Sequence, residues 1–117
     1  MDLVTVSQAK GRVPVTILRL HDRINPGNTA ELEQAAKKAY AAGARDMVID
    51  LSEAPSLTSA GIRAIIVIHN ILGAPKHKSK HLKLVSPTPH VREVIDIAGL
   101  LEYIGVYENL DDAVASF

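Results

Sequence analysis

Cysteine is absent from the 117 residues, and with it go a disulfide framework, a thiolate metal site and a cysteine nucleophile. Net charge is absent too. Thirteen Lys and Arg offset 13 Asp and Glu, so the overall balance calls for neither nucleic acid nor an anionic membrane. There is no long hydrophobic run: the stretch from Ala64 to Leu72 is interrupted by His69 and Asn70 and is far too short to span a bilayer. The opening Met-Asp-Leu-Val-Thr-Val lacks the basic and then apolar order of a secretory signal. No glycine-rich phosphate loop of the P-loop or dinucleotide type occurs. A nucleophile elbow needs glycine two before and two after its serine. Gly61 follows Ser59 in that way, but Leu57 precedes it. The expectation is a soluble, cytoplasmic protein that is not an enzyme and carries no cofactor.

What is present fits an ordinary globular chain. Hydrophobic residues are 47% and charged residues 22%, enough to bury a core and fold as a single domain over residues 1–117. Val4 and Val6, then Val13, Val15, Ile17 and Leu20, lie on either side of Lys10-Gly11-Arg12, the pattern of a β-hairpin. Asn28-Thr29-Ala30-Glu31 has the form of a capping box, with Asn as cap and Glu at the third helical position. Leu32, Ala35, Ala36, Ala39 and Tyr40 then keep helical spacing, and Gly43 ends the helix.

Met47 to Leu51 is a short apolar run, as expected of a strand covered on both faces. A second helix starts near Thr58-Ser59 and runs towards Leu72; a strand follows at Leu82 to Val85. Pro89 suits a first helical position. Val91, Val94, Ile95 and Ala98 make a third stripe, closed by Gly99. Ile104 to Tyr107 reads as a last strand, and Leu110, Ala113, Val114 and Phe117 as a last helical stripe. The order β-β-α-β-α-β-α-β-α implies an α/β fold, a mostly parallel sheet opened by a hairpin, with helices mainly on one face.

The informative segment is VIDLSEAPSLTSAGI, Val48 to Ile62. A buried strand ends, a short proline-containing loop follows, and two hydroxyls open a helix. Sites in open α/β sheets favour such positions, outside the carboxyl end of a strand. The helix start offers unpaired N–H groups and a positive dipole end, which suit a phosphate. The plainer reading is that one hydroxyl simply caps the helix.

Asp50-Leu51-Ser52 followed by Leu57-Thr58-Ser59-Ala60-Gly61-Ile62 resembles the signature of STAS domains, best known in bacterial anti-sigma-factor antagonists. Arg23-Ile24-Asn25-Pro26 is similar to the family's loop after the second strand, and Thr29 to Leu32 to its first helix start. Leu82 to Val85 resembles its fourth strand, and Ala98-Gly99-Leu100 its later ending. The resemblance implies phospho-switched binding. Unphosphorylated, the protein would dock on an anti-sigma factor with GHKL-type serine kinase activity; phosphorylated, it would release it, and a PP2C-type phosphatase would reset it. Ser59 matches the family's phosphorylated serine. Thr58 falls where the family usually has aspartate and is a second candidate acceptor, and Asn25 falls where many members have aspartate. Asn25, Thr58, Ser59, Ala60, Gly61, Ile62 and Arg63 make up the expected partner-binding surface, on a monomer or weak dimer. The alternatives are a stressosome-like scaffold, or a lone counterpart of an anion-transporter STAS domain that senses a nucleotide or anion.

Several features have two readings. On the second helix, Ala64, Val67, Ile68 and Ile71 form one apolar stripe and Ile62, Ile65 and Ile66 another. A helix apolar around most of its circumference is normally buried, but part of the second stripe near Ser59 is also placed to dock a partner. The basic cluster Lys76 to His81, with Lys83 beyond, fits a solvated loop or an acidic partner better than nucleic acid, since no aromatics are interleaved for stacking. His77 and His81 stand four apart, yet the surrounding lysines repel a cation and no carboxylate is near in sequence, so no metal is expected. His21, His69 and His90 are isolated, with structural or exposed roles expected.

Overall fold

The computed structural model describes residues 3–73 and 81–117. Five strands form one sheet in the order β1-β2-β3-β4-β5. They are β1 (Val4–Lys10), β2 (Pro14–Leu20), β3 (Met47–Asp50), β4 (Leu82–Val85) and β5 (Gly105–Tyr107). Between and after them come α1 (Thr29–Ala41), α2 (Ser59–Ile71), α3 (Pro89–Ile97) with a following 3-10 turn at Leu100–Glu102, and α4 (Leu110–Ala115). Only β1 and β2 are antiparallel, in register from Val4 opposite Leu20 to Lys10 opposite Pro14. Every later neighbour is parallel. The expected element order and mostly parallel sheet are therefore found.

Strand alternation sends neighbouring residues to opposite faces, and the sequence exploits both. Leu18, Leu20, Ile49, Leu82 and Leu84 face the main core, where they meet Leu32 of α1, Ile65 and Ile68 of α2, and Val91 and Ile95 of α3. Val15, Val48 and Val85 face the other way and are covered by Ala113 and Val114 of α4. Among the described residues, one face thus carries α1 to α3 and the other α4, six residues long. Each fully buried Leu or Ile contributes about 1.5–3 kcal/mol over leaving it exposed, so the helical face carries most of the hydrophobic stabilisation.

Helix ends follow local chemistry, with one exception. Gly43 and Gly99 take left-handed φ values of 111° and 75° at the ends of α1 and α3, where a side chain would be strained. Thr88 caps α3 by accepting from the Val91 N–H at 3.4 Å. The capping box at Asn28 and Glu31 does not form. Asn28 makes no side-chain cap bond; its Oδ1 accepts from the Asn25 N–H at 2.9 Å, and its Nδ2 donates to the Arg23 carbonyl at 2.9 Å. Glu31 instead accepts from the Leu3 N–H at 2.9 Å. Asn28 is spent on its own loop, within five residues, while Glu31 takes an amide 28 residues away, just before the edge strand.

The C-terminal half of α1 presents alanines to the sheet, and the helix does not reach across β1. Ala35, Ala39, Ala42 and Ala44 therefore wall an open groove of about 760 Å³ with Val6, Gln8 and Thr16, and Val6 is left 50% exposed. Substitutions should follow this division of labour. Ile49→Ala, in the middle of the sheet and fully buried, is expected to lose about 2–5 kcal/mol in urea unfolding. Ile97→Ala, at a side chain 79% exposed, is expected to stay within about 0.5 kcal/mol of wild type.

Candidate functional site

The site is built where the loop after β2 meets the start of α2. Ile24 and Leu57 form an isolated parallel bridge, which draws Asn25 alongside Thr58. The Ile24 carbonyl accepts from the Thr58 N–H at 3.3 Å and from the Thr58 hydroxyl at 2.9 Å. That hydroxyl also accepts from the Gly61 N–H at 3.4 Å, which makes Thr58 the cap of α2. Asn25 steadies its own turn, its Oδ1 accepting from the Gly27 N–H at 2.8 Å. Its carbonyl accepts from the N–H groups of Asn28 at 3.1 Å and Thr29 at 3.2 Å.

Gly61 is buried in this junction. A Cβ there would lie 2.5 Å from Leu57 Cδ1, 3.0 Å from Ile24 Cβ and 3.1 Å from Ile24 Cγ2. Only glycine lets the first turn of α2 come this close to the loop. The two adjacent hydroxyls are thereby sorted. Thr58 is half-buried and fully engaged, whereas Ser59 is the first residue of α2 and exposed. The capping role expected of one of them falls to Thr58, a residue type that fills the position as aspartate does but without charge. The N–H groups of Ser59 and Ala60, in the first turn, have no intrahelical acceptor.

Beside the loop, Asp50 ends β3 as a buried charge. Its Oδ2 accepts from Arg19 Nε at 2.9 Å and its Oδ1 from the Ser52 N–H at 2.9 Å. Burial pushes the carboxyl up, but the Ser52 N–H and hydroxyl and the Arg19 guanidinium outweigh it and hold the group below its ordinary range. This lock fixes the start of the β3–α2 loop. Nearby, His21 bonds the Thr5 hydroxyl at 2.7 Å and approaches Glu53 at 3.4 Å.

The structure redistributes the apolar stripes of α2. Ala64, Ile65 and Ile68 are buried, while Ile62 is partly buried against the core. Ser59, Arg63, Ile66 and Asn70 are exposed at i, i+4, i+7 and i+11, one outward line. The apolar surface near Ser59 is made of partly buried Ile62 and, two turns away, Ile66 at 41% exposure. Arg63 and Asn70 are legible in the sequence as the polar face; the exposure of Ile66 between them is not, because a helix so apolar gives periodicity little to separate. Sequence reasoning also missed Ser86, which takes a φ of 55° at the carboxyl end of β4. Its hydroxyl donates to the Glu108 carbonyl at 2.9 Å. Nothing in the residue type signals this backbone.

Among the histidines, His90 is exposed and His69 is buried. His81 bonds Asp46 at 2.8 Å, a carboxylate brought from 35 residues away that the local sequence does not reveal. His77 and the lysines at 76, 78 and 80 lie outside the described residues.

Comparison with known proteins adds relatives to this geometry. The profile of the STAS domain matches residues 7–113. A protein described as an anti-sigma factor antagonist, BtrV of Bordetella bronchiseptica, is 31% identical over 94 residues, spanning 80% of this chain and 78% of its own. The solved structure of an anti-sigma factor antagonist from Mycobacterium paratuberculosis has a TM-score of 0.82 at 27% identity, covering 97% of this chain and 91% of its own. The anti-sigma factor antagonist SpoIIAA, solved in its unphosphorylated form, gives 0.74 at 16% identity over 95% of this chain and 92% of its own; at that identity the likeness is one of fold.

Substitutions at three positions test the junction and its lock. Gly61→Ala is expected to lower stability by about 1–3 kcal/mol through overpacking. Thr58→Ala is expected to lose about 0.5–2 kcal/mol and Thr58→Asp to keep the cap, all read from urea midpoints. For Asp50, the folded pKa is the lower one, so its contribution is complete above the ordinary carboxyl value of about 3.9. It is lost as pH falls through the folded value. The stability gap between wild type and Asp50→Asn should therefore be wide at neutral pH and shrink in acid; a gap independent of pH would contradict the assignment.

Proposed function

The chain belongs to the STAS domain family, and we propose that within it the protein is an anti-sigma factor antagonist whose binding is switched at Ser59. The observation that carries this reading is the division between the two hydroxyls: Thr58 is consumed by the helix cap and the Ile24 carbonyl, and Ser59 is exposed. A kinase needs an accessible hydroxyl, and of the two only Ser59 offers one without unmaking the cap. The names of the BtrV relative and the Mycobacterium paratuberculosis structure support the choice of partner class.

The docking face on this proposal runs from Asn25 through Thr58, Ser59 and Ala60 and along the outward line of α2 past Arg63. Gly61 and Ile62 hold that line against the core. The partner is an anti-sigma factor with GHKL-type serine kinase activity, a PP2C-type phosphatase reverses the mark, and all three work in the cytoplasm. Among the described residues, no helix is long and apolar enough to cross a membrane. Residues 1–117 act as one domain, since a single sheet orders every described strand.

A phosphate on Ser59 brings about −1.5 to −2 charges at neutral pH. In the free protein it meets the positive end of a 13-residue helix, which favours it by about 0.3–1 kcal/mol, or about 2 when partly buried. Arg63 lies one turn along on the same exposed face, at the i+4 spacing from which a cation reaches an anion. Thr58 and Asn25 are neutral, so neither repels the phosphate. In a complex the same charge is buried, and without a matching cation that costs several kcal/mol. Desolvation wins. The phosphoprotein is tolerated alone and expelled from the interface; a loss of about 4 kcal/mol weakens affinity nearly a thousandfold.

The test uses the cognate anti-sigma kinase from the source genome. With ATP, mass spectrometry should map the phosphate to Ser59 and leave Thr58 unmodified. In calorimetry, Ser59→Ala should bind as wild type, and Ser59→Asp should lose about a hundredfold or more, at least 2.7 kcal/mol, with an unchanged melting temperature. Equal affinity for Ser59→Asp, or phosphate found on Thr58, would refute the switch. Captured partners limited to other STAS proteins or membrane transporters would favour the scaffold or anion-sensing alternative.

A further inference from the structure

Ser59 and Arg63 begin an exposed line on α2 that continues through Ile66 to Asn70. At Ile66 the line meets a cavity of about 120 Å³, set between α2 and the 3-10 turn. The lining is Ile66, His69, Asn70, Leu100, Tyr103 and Ile104, with no acid, lysine or arginine among them. The rings of His69 and Tyr103 stand 6.3 Å apart at 59°. Both His69 nitrogens are buried, so that ring serves only as a wall. A group entering the cavity has no bond to make with it.

Five large hydrophobic side chains are exposed among the described residues, and three of them stand on these two elements. They are Ile66 at 41%, Leu101 at 39% and Tyr103 at 42%. Exposed hydrophobics scattered singly are ordinary, whereas a group of them rimmed by polar residues marks a protein contact. Arg63 and Asn70 supply that rim, one on each side of Ile66. An apolar centre with a polar border is the usual anatomy of an interface.

The place of the cavity says what covers it. Ile66 lies seven residues beyond Ser59 on the same helix, about 10 Å along its axis. A standard interface takes about 800 Å² from each partner, a patch about 30 Å across. A partner seated over Ser59 therefore also covers Ile66 and the mouth of the cavity. If nothing entered, the lining would forgo its packing contacts. An apolar cavity of about 150 Å³ takes up benzene, so the scale here is a single side chain. A charged one is excluded, because no group of opposite charge in the lining would compensate it.

We propose that the anti-sigma factor inserts one aliphatic side chain, leucine or methionine in size, into this cavity, with Ile66 and Tyr103 as its main contacts. The inference rests on the antagonist reading above and divides the face in two. Charge at Ser59 decides whether the complex forms; the cavity two turns away supplies much of its affinity, as buried anchors in pockets do.

The test is calorimetry of the full chain with the cognate anti-sigma kinase. Ile66→Ala and Tyr103→Ala should each weaken binding at least about tenfold, and Ile66→Glu about a hundredfold, with melting temperatures near that of wild type. Val6→Ala, exposed on β1 at the sheet edge opposite β5, should bind as wild type. Full affinity in the Ile66 and Tyr103 variants, beside a loss in Ser59→Asp, would overturn this inference and leave the switch standing. The reverse pattern would keep the contact and refute the switch, and an anti-sigma factor that ignores wild type would refute both. Should a variant fail to fold, the methyl signals of Ile66, Leu100 and Ile104 in the wild-type chain report the same insertion. They should shift when the partner is added; unmoved signals overturn the proposal. Self-association of the chain that Ile66→Glu abolishes would assign the cavity to a second copy instead.

Discussion

The Ile24 carbonyl accepts twice from Thr58, from its amide and from its hydroxyl, and the position of the exposed tip follows from that grip. Ile24 sits in the loop that leaves β2, Thr58 at the threshold of α2, and 34 residues separate them. The bond therefore sets the height of α2 against the sheet. It works only because Gly61, one turn on, offers no side chain to the approaching Ile24 and Leu57. Capping residue and glycine are a matched pair: one pulls the helix start towards the loop, the other permits the distance. Ser59, between them, is turned outward by the same geometry.

The other end of the β3–α2 loop is fixed by charge. Asp50 is buried, and a lone buried carboxylate would be costly. Arg19 from β2 and the Ser52 amide compensate it, so the loop leaves the sheet in one direction. The face of the sheet opposite α1 to α3 is thus divided between a polar part, Arg19 and Asp50, and an apolar part under α4, Val15, Val48 and Val85. Arg19 is itself 44% exposed, so the pair adds modest net stability; its service is to fix where the loop leaves the sheet.

How much of this was legible in the sequence depended on whether the signal was local. The hairpin, the glycine ends at Gly43 and Gly99, Pro89 opening α3 and the apolar run of β3 all carry their instructions within a few residues, and all appear as read. The STAS-like motif also located Thr58 and Ser59 at the start of α2. Adjacent Thr and Ser, however, send the same capping message, and only the Ile24 carbonyl decides between them. Asn28 and Glu31 show the converse case, a correct local pattern overruled by Asn25, Arg23 and Leu3. The Arg19–Asp50 pair spans 31 residues and no periodicity announces it. His69 looked like any isolated histidine; its burial, to 3% exposure, is a property of the packed helix alone.

The strands lie in the sheet in the order in which they occur in the chain. Parallel sheets commonly reverse direction or insert a late strand between earlier ones, which forces distant segments to meet. Here each new strand needs only its immediate predecessor, and each crossover is closed by one intervening helix. Loop-closure entropy grows with the length of chain enclosed, so no pairing carries the penalty of a long enclosed segment. The hairpin, with the shortest loop of all, supplies a template at one edge. Growth can then proceed strand by strand from the N-terminal side, the direction in which a ribosome delivers the chain.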